Sequence, residues 1–265
     1  MDAVVTVDKT TLDASGQVVQ AVQVSDPNEM TTATENGASS TESVSQGQTI
    51  ASDQSGEGTE TEGDTDALYT QIDGTMIYVE SGTAAEYITE ATEGWKNLPE
   101  GIRNKLAEYG MRIYLSETAC SNIGVQYGGY AYGLKYKANA ATLEITSITQ
   151  NAYCIIGTKG DVEGTVLHEI GHLLDFGIAI MEEGVYSTSN CRISDSEEWQ
   201  QICASDGADI AAIDSQTAVN SYSNKELFAE AFRLVCQGSE DLKVVSPDAY
   251  NFVQRMVEKY TSSAG

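Results

Sequence analysis

The residues of this chain whose types and spacing best suit chemistry are His168, Glu169 and His172, which form the pattern His-Glu-x-x-His. On a helix, residues four apart lie on the same face, so both imidazoles can face one metal ion. Zinc binds neutral imidazole nitrogens and accepts a third protein ligand and a water. Glu169 follows the first histidine and can take a proton from that water as a general base. The pattern therefore predicts a zinc site with His168 and His172 as ligands.

The alternative interpretation of this pattern is a pair of buried helix histidines with a solvated glutamate beside them. The composition favours the metal site, because the chain has 2 His in all and both fall in the pattern. Asp161 precedes the motif where a helix N-cap belongs, and Gly177 follows it as a suitable stop. We expect a helix from Asp161 to about Phe176 that carries the site.

A third protein ligand has to come from another part of the chain. The sequence has no third histidine, so a carboxylate from a later helix is the natural alternative. The candidate carboxylates are those of Glu182, Glu183, Glu197, Glu198, Glu226 and Glu230. Glu182 and Glu183 lie too near the motif helix in sequence to fold back onto it. Glu197 and Glu198 open a helix whose first turn we expect to be solvated.

Glu226 and Glu230 differ from the other candidates because they lie four apart on one face of an otherwise apolar helix. Two carboxylates buried one turn apart repel each other unless a cation or hydrogen-bond donors lie beside them. A zinc ion with its histidines provides both. The alternative for Glu226 is a capping box with Ser223, three residues earlier, and the two roles do not wholly exclude each other.

Residues 168–175 (HEIGHLLD) and 226–232 (ELFAEAF) together define a family likeness. They resemble the catalytic domain of anthrax lethal factor and its relatives, among them the secreted Pro-Pro endopeptidases of clostridia. These proteins are zinc metalloproteases of the gluzincin type. The likeness runs from about residue 70 to the end of the chain and is specific in the two quoted segments.

The resemblance implies a role for each residue of these segments that could do chemistry. The implied zinc ligands are His168, His172 and Glu226. Glu169 is the implied base, and Glu230 is implied to hold a ligand histidine from behind, which orients the ring and fixes its tautomer. We expect Asp175, at the end of the first segment, to support the ligands in the same way.

One position departs from the family pattern. The family has a tyrosine seven residues before the ligand glutamate, where it can donate a hydrogen bond to the oxyanion. Here that position is Val219, and the nearest tyrosine is Tyr222, four residues before Glu226. An oxyanion donor is worth about 3–4 kcal/mol to the transition state. Either Tyr222 is the catalytic donor or another group is, and the alternative for Tyr222 is packing at the helix entrance.

An extended substrate can pair with the edge of a sheet through backbone groups, as it does in zincins generally. Two β-like runs near the motif, at residues 143–148 and 153–156, are candidates for that edge strand. The Gly- and Tyr-rich residues 127–136 are candidates for a wall of the cleft.

Residues 1–66 differ in composition from the rest of the chain. They contain no aromatic residue, cysteine or arginine, and Lys9 is their one lysine. Such a segment cannot bury enough apolar area to offset the entropy of ordering it. We expect residues 1–66 to be a disordered acidic Ser/Thr/Gly-rich tail or linker, with a lone strand near Val18 as the alternative. Residues 67–265 are expected to form the catalytic domain.

The pattern of strands followed by helices after residue 67 indicates an α+β fold. We expect strands at residues 75–80, 111–115, 143–148 and 153–156, and helices at residues 84–98, 99–108, 161–176, 195–203, 225–236 and 247–259.

Charge and cysteine spacing limit the class of partner. The chain has 14 Lys+Arg against 40 Asp+Glu, a net charge of −26, which argues against nucleic acid and anionic membranes. No apolar run approaches the roughly 18 residues of a membrane span. The 5 cysteines form no Cys-x-x-Cys pair, so a thiolate zinc site is not indicated and disulfide pairing stays open. No signal peptide is visible, so the sequence is cytosolic or begins after a removed signal.

These observations predict an α+β, zincin-like metalloprotease domain with one zinc ion per chain. From the resemblance we expect a secreted endopeptidase that acts on a peptide or protein substrate. We expect a monomer with no nucleic-acid partner and no membrane insertion. The alternative is a catalytically weak or inactive zinc-binding peptide-recognition module, and Val219 is the feature that favours it.

Overall fold

The computed structural model describes residues 11–12, 17–21, 69–139, 142, 144–184, 192–213 and 223–262. The strands are β1 (Thr11–Leu12), β2 (Gln17–Ala21), β3 (Tyr69–Gln71), β4 (Ile77–Glu80), β5 (Arg112–Leu115), β6 (Gly129–Tyr132), β7 (Lys135–Asn139), β8 (Ile145–Gln150) and β9 (Tyr153–Ile156). The helices are α1 (Ala85–Asn97), α2 (Glu100–Glu108), α3 (Glu117–Asn122), α4 (Val162–Leu173), α5 (Ala179–Glu183), α6 (Glu197–Ile213), α7 (Asn224–Cys236), α8 (Glu240–Val245) and α9 (Pro247–Thr261). The fold is α+β.

A five-stranded sheet with the strand order β3-β4-β5-β9-β6 supports the motif helix. Strands β4, β5 and β9 run parallel, and β3 and β6 are antiparallel to their neighbours at the two edges. In β5 the side chains of Ile113 and Leu115 are fully buried, whereas Arg112 is exposed and Tyr114 is partly exposed. This alternation follows from the period of two in a strand. Helix α4 lies against β6 and β9.

A second, antiparallel sheet has the order β1-β2-β7-β8. Its first two strands come from the segment that the composition predicts to be disordered, and Gln17–Ala21 pairs with Lys135–Asn139. A strand is therefore present near Val18, but it pairs with β1 and β7 and is not the lone strand of the alternative prediction. The rest of residues 1–66 lie outside the described residues, so their disorder stays a prediction.

Helix α4 begins where the sequence predicts, and the helical segment that it opens continues further than predicted. The side chain of Asp161 caps it by accepting a hydrogen bond from the backbone N–H of Gly164 at 2.9 Å. The expected stop at Gly177 is wrong, because the helix continues through a π-helical turn at Leu174–Ile178 into α5. A Cβ at Gly177 would lie 3.1 Å from Cε of Met111, so this glycine permits close packing. The chain leaves the helix at Gly184, whose φ is 65°.

Helices α6 to α9 pack together and position α7 beside α4. Trp199 of α6 contacts Phe228 of α7 and Phe252 of α9, with ring centroids 5.4 and 5.2 Å apart. The indole N–H of Trp199 donates a hydrogen bond to the carbonyl of Asn224 at 2.7 Å, which fixes the first turn of α7. Among the described residues, no helix is both long enough and apolar enough to cross a membrane.

Candidate metal centre

Helices α4 and α7 pack against each other and bring three metal-binding side chains together. His168 and His172 lie one turn apart on α4. The Oε2 atom of Glu226, in the first turn of α7, lies 3.2 Å from Nε2 of His168 and 3.4 Å from Nε2 of His172. One donor atom from each residue lies within 4.8 Å of the other two. Two imidazoles and a carboxylate at this spacing fit a zinc ion with room for water.

Ser223 caps helix α7 without using the carboxylate of Glu226. The Oγ atom of Ser223 accepts a hydrogen bond from the backbone N–H of Glu226 at 3.4 Å. The carboxylate of Glu226 is directed at the two histidines. Among the described residues, that carboxylate accepts no hydrogen bond from the backbone N–H of Ser223, so the capping box is only half formed.

Glu230 lies behind His168. Its Oε2 atom is 3.3 Å from Nδ1 of His168, on the opposite side of the ring from Nε2, which faces Glu226. When Nδ1 carries the proton and donates it to Glu230, the lone pair of Nε2 is free for a metal. Arg233 in turn binds Glu230 with two donors, Nε to Oε2 at 3.0 Å and Nη2 to Oε1 at 2.5 Å. The arginine is buried and completes the chain His168–Glu230–Arg233.

Arg233 is a residue of the site that was not predicted from the sequence. The signal was present, because Arg233 follows Glu230 by three residues and therefore lies on the same helix face. A buried arginine paired with a buried carboxylate is a bidentate contact of high geometric specificity. Arg233 and His168 both oppose the effect of burial on Glu230. Burial alone would raise the pKa of Glu230, and hydrogen bonds from His168 and Arg233 lower it to about 2.

The charges of the centre favour a bound cation. Burial would raise the pKa of Glu226, but His172 and His168 hold it well below its ordinary value. Burial would lower the pKa of His168, but its hydrogen bonds with Glu226 and Glu230 raise it to about 10. The two carboxylates are therefore ionised and attract positive charge to the space between the helices. The donor set and its charge both fit Zn²⁺.

Glu169 lies in α4 with its side chain against strand β6. Only 6% of Glu169 is exposed, and a Cβ at Gly129 would lie 2.8 Å from its Cγ and 3.0 Å from its Oε1. Burial raises the pKa of Glu169, and the nearby His172 and His168 partly offset that effect. A carboxyl group with a raised pKa is a better general base near neutral pH.

His172 is more deeply buried than His168. It is 3% exposed, and its ring stacks on Phe176 with a centroid distance of 6.0 Å. Its Nδ1 atom is buried and has no hydrogen-bond partner among the described residues. Its Nε2 atom is the nitrogen that faces Glu226. That orientation is the one a metal ligand requires.

Asp175 is fully buried at the end of the motif and contacts a different group from the one expected. Its carboxylate accepts hydrogen bonds from the backbone N–H and the Oγ of Ser194, at 2.8 and 2.7 Å. Burial raises the pKa of Asp175, and these two hydrogen bonds partly offset the rise. The structure thus places Asp175 between α4 and the turn at Ile193–Asp195. Support of a ligand histidine by Asp175 stays a prediction.

The edge strand of the five-stranded sheet beside α4 is not one of the two strands predicted to pair with a substrate. Strand β9 lies between β5 and β6, so its backbone groups are already paired, and β8 belongs to the second sheet. Among the described residues, β6 pairs with β9 alone. This strand, Gly129–Tyr132, falls within the Gly- and Tyr-rich residues that the sequence assigns to the cleft wall. Strand pairing is a long-range property that the local pattern does not contain.

Tyr222 and Val219 lie outside the described residues. The role of Tyr222 as an oxyanion donor therefore stays a prediction.

No protein-family model and no curated protein sequence matches the chain. Among solved structures, the chain is similar to a Pro-Pro endopeptidase from Paenibacillus alvei at 16% sequence identity and a TM-score of 0.41. The match covers 68% of this chain and 97% of that protein.

Proposed function

We propose that this chain is a zinc-dependent endopeptidase whose zincin-like catalytic domain occupies residues 67–265. The observation that best supports the proposal is the approach of His168, His172 and Glu226, with donor atoms within 4.8 Å of one another. These ligands come from two helices far apart in sequence, so tertiary packing creates the cluster. A ligand set of two histidines and one glutamate is that of the gluzincin type.

The chain's own residues provide the remaining parts of a hydrolytic site. A bound zinc ion supplies Lewis acidity, which polarises a peptide carbonyl and makes water a nucleophile at neutral pH. Glu169 accepts the proton of the attacking water and delivers it to the leaving amine. Glu230 keeps the Nδ1–H tautomer of His168, so that Nε2 stays available. The strand β6 borders Glu169 and is an edge strand of the five-stranded sheet.

The proposed substrate is a peptide or a protein, and the proposed site of action is extracellular. Both rest on the likeness of residues 168–175 and 226–232 to lethal factor and its relatives. The same residues would serve a zinc-binding recognition module without turnover, so the experiment has to measure turnover as well as zinc.

The deciding experiment combines zinc analysis with hydrolysis of a peptide library. We expect one zinc ion per chain and cleavage of library peptides by the wild-type protein. The variant Glu169→Gln is expected to retain zinc and to lose turnover, because an amide cannot accept the proton. Glu163→Gln is a matched control on the same helix. The carboxylate of Glu163 accepts a hydrogen bond from Asn97, so the control is expected to keep both properties.

Two results would count against the proposal. Substoichiometric zinc after reconstitution would remove the metal site. Full zinc with no cleavage of any library peptide would favour the recognition module.

A further inference from the structure

The two helices that provide the proposed ligands share one spacing of residues. On α4 the sequence runs His168, two residues, Gly171, His172, and on α7 it runs Glu226, two residues, Ala229, Glu230. Each helix therefore carries site residues at positions i and i+4 and a small residue at i+3. Positions i, i+3 and i+4 lie on one helix face. The small residues thus share the face that bears the ligands.

Gly171 and Ala229 are the point at which the two helices touch. A Cβ at Gly171 would lie 2.8 Å from Cα of Ala229 and 3.1 Å from its carbonyl oxygen. Both atoms belong to the backbone of α7, so they cannot turn aside as a flexible side chain can. Ala229 is fully buried. The absence of a side chain at residue 171 is therefore what permits this close approach of α7 to α4.

From this contact we infer that Gly171 is a positioning residue, which sets the separation between the histidines of α4 and Glu226 of α7. The inference rests on the proposed function. Carbon atoms in ordinary contact lie about 3.5–4.0 Å apart, so a methyl group at residue 171 displaces α7 by about 0.7 Å or more. A binding constellation has to be held to about 0.5 Å, so this displacement is enough to impair the metal geometry.

Gly94 offers a matched control for the same substitution. It lies in α1, and a Cβ there would be 2.9 Å from the carbonyl oxygen of Glu163 and 3.1 Å from Cβ of Val166, both in α4. Val166 and Gly171 lie about 140° apart around α4, at about 100° per residue. Gly94→Ala therefore strains a different face of the motif helix and leaves its contact with α7 unchanged.

The test compares the full-length wild-type protein with Gly171→Ala and Gly94→Ala. Zinc dissociation constants are measured by competition with a chromophoric chelator, and absorption spectra of the Co²⁺-substituted proteins report the ligand geometry. We expect Gly171→Ala to bind zinc at least about 10-fold more weakly, which is the usual loss when a residue that supports metal ligands is mutated. We also expect its Co²⁺ spectrum to change. We expect Gly94→Ala to match the wild type in both measurements, whatever stability it loses.

Two outcomes would overturn the inference. One is a folded Gly171→Ala that binds zinc as tightly as the wild type. The other is an equal loss in Gly171→Ala and Gly94→Ala, because strain anywhere on α4 would then suffice. If Gly171→Ala does not fold, Ala229→Ser adds one atom to the α7 side of the same contact and is expected to weaken zinc binding. A wild-type protein that binds no zinc refutes the proposed function, whereas tight binding by both wild type and Gly171→Ala refutes this inference alone.

Discussion

The carboxylate of Glu230 lies 3.3 Å from Nδ1 of His168, on the side of the imidazole opposite the nitrogen that faces the metal position. This contact separates the roles of two glutamates that occupy equivalent positions on one helix face. Glu226 approaches the Nε2 atoms of both histidines, and Glu230 approaches one histidine from behind. We therefore propose that Glu226 is a metal ligand and that Glu230 orients the ligand His168.

The first prediction concerns the relative importance of these two glutamates for zinc. Glu226→Ala is expected to show the larger loss of zinc affinity, because one of three protein ligands is removed. Glu230→Ala is expected to lose about 10- to 100-fold, because the ligand histidine loses its support. Zinc dissociation constants measured side by side provide the comparison.

Ser223→Ala is the control for Glu226→Ala, since it removes the helix cap and leaves the carboxylate in place. We expect this control to lose about 1 kcal/mol of folding stability and to keep its zinc. Retention of tight zinc binding by Glu226→Ala would contradict the assignment of that residue as a ligand.

The second prediction concerns Arg233, which is buried and paired with Glu230 at two positions. Arg233→Met removes two of the donors to the buried carboxylate of Glu230 and leaves His168 as its partner. We therefore expect the free energy of unfolding to fall by about 3 kcal/mol, the lower end of the range for a broken buried pair. Urea unfolding of the zinc-free protein measures this change. Arg255→Met is the control, because Arg255 pairs with Glu198 at the surface, and such pairs are worth about 0–1 kcal/mol. Equal losses of unfolding free energy in the two variants would show that the buried pair stabilises the fold no more than the surface pair does.

The third prediction concerns pH and zinc affinity. In the zinc-free protein the pKa of His168 is raised to about 10, mainly by its hydrogen bonds with Glu226 and Glu230, which outweigh the effect of burial. Zinc binding requires the neutral imidazole, so zinc displaces a proton at any pH below that value. We expect the dissociation constant to fall up to about tenfold per pH unit as the pH rises from 7 to 8. A dissociation constant that stays the same over this interval would contradict a protonated His168.

The raised pKa of His168 also predicts how the stability of the zinc-free protein depends on pH. The folded-state pKa of His168 lies above its unfolded value of about 6.5, so the proton stabilises the folded state. This contribution is fully present below about pH 6.5 and is lost as the pH rises through about 10. Urea unfolding of the zinc-free protein at several pH values measures it, and His168→Gln, which does not titrate, is the comparison.

The fourth prediction concerns Gly129 and separates catalysis from metal binding. A methyl group at Gly129 would lie 2.7 Å from the carbonyl oxygen of Ile155 and 2.8 Å from Cγ of Glu169, so it would displace Glu169 and strain β6 against β9. The proposed metal ligands are on other residues. We therefore expect Gly129→Ala to keep its zinc affinity and to lose most of its turnover. The two measurements are the zinc dissociation constant and the cleavage rate of a library peptide. Unchanged turnover would show that the position of Glu169 does not depend on β6.

The fifth prediction concerns residues 1–66, which we propose to be dispensable for catalysis. Their composition is unsuited to building a cleft. A truncated protein that starts at Ala67 is expected to fold, bind zinc and cleave the same peptides, although strand β7 loses its partner Gln17–Ala21. A folded truncated protein without activity would show that the segment contributes to the site.

The sequence by itself determined the features that depend on neighbours a few residues away. Helix periodicity alone places His168 and His172 on one face, and Asp161 and Ser223 lie at the N-caps of α4 and α7 because a cap is a contact over three residues. The α+β class also follows from local patterns of strands and helices. Side-chain chemistry then indicates zinc, since imidazole and carboxylate donors at this spacing suit it.

Only the tertiary structure decided the features that depend on contacts distant in sequence. Glu226 and Glu230 are equivalent by spacing, and the packing of α7 against α4 distinguishes them. Glycine often ends a helix, yet Gly177 lies inside a π-helical turn and packs closely against Met111. Strand β6 lies at the sheet edge beside Glu169 because strand order is set by pairing across the whole sheet. Such contacts are fixed by the collective burial of side chains, which no short stretch of sequence contains.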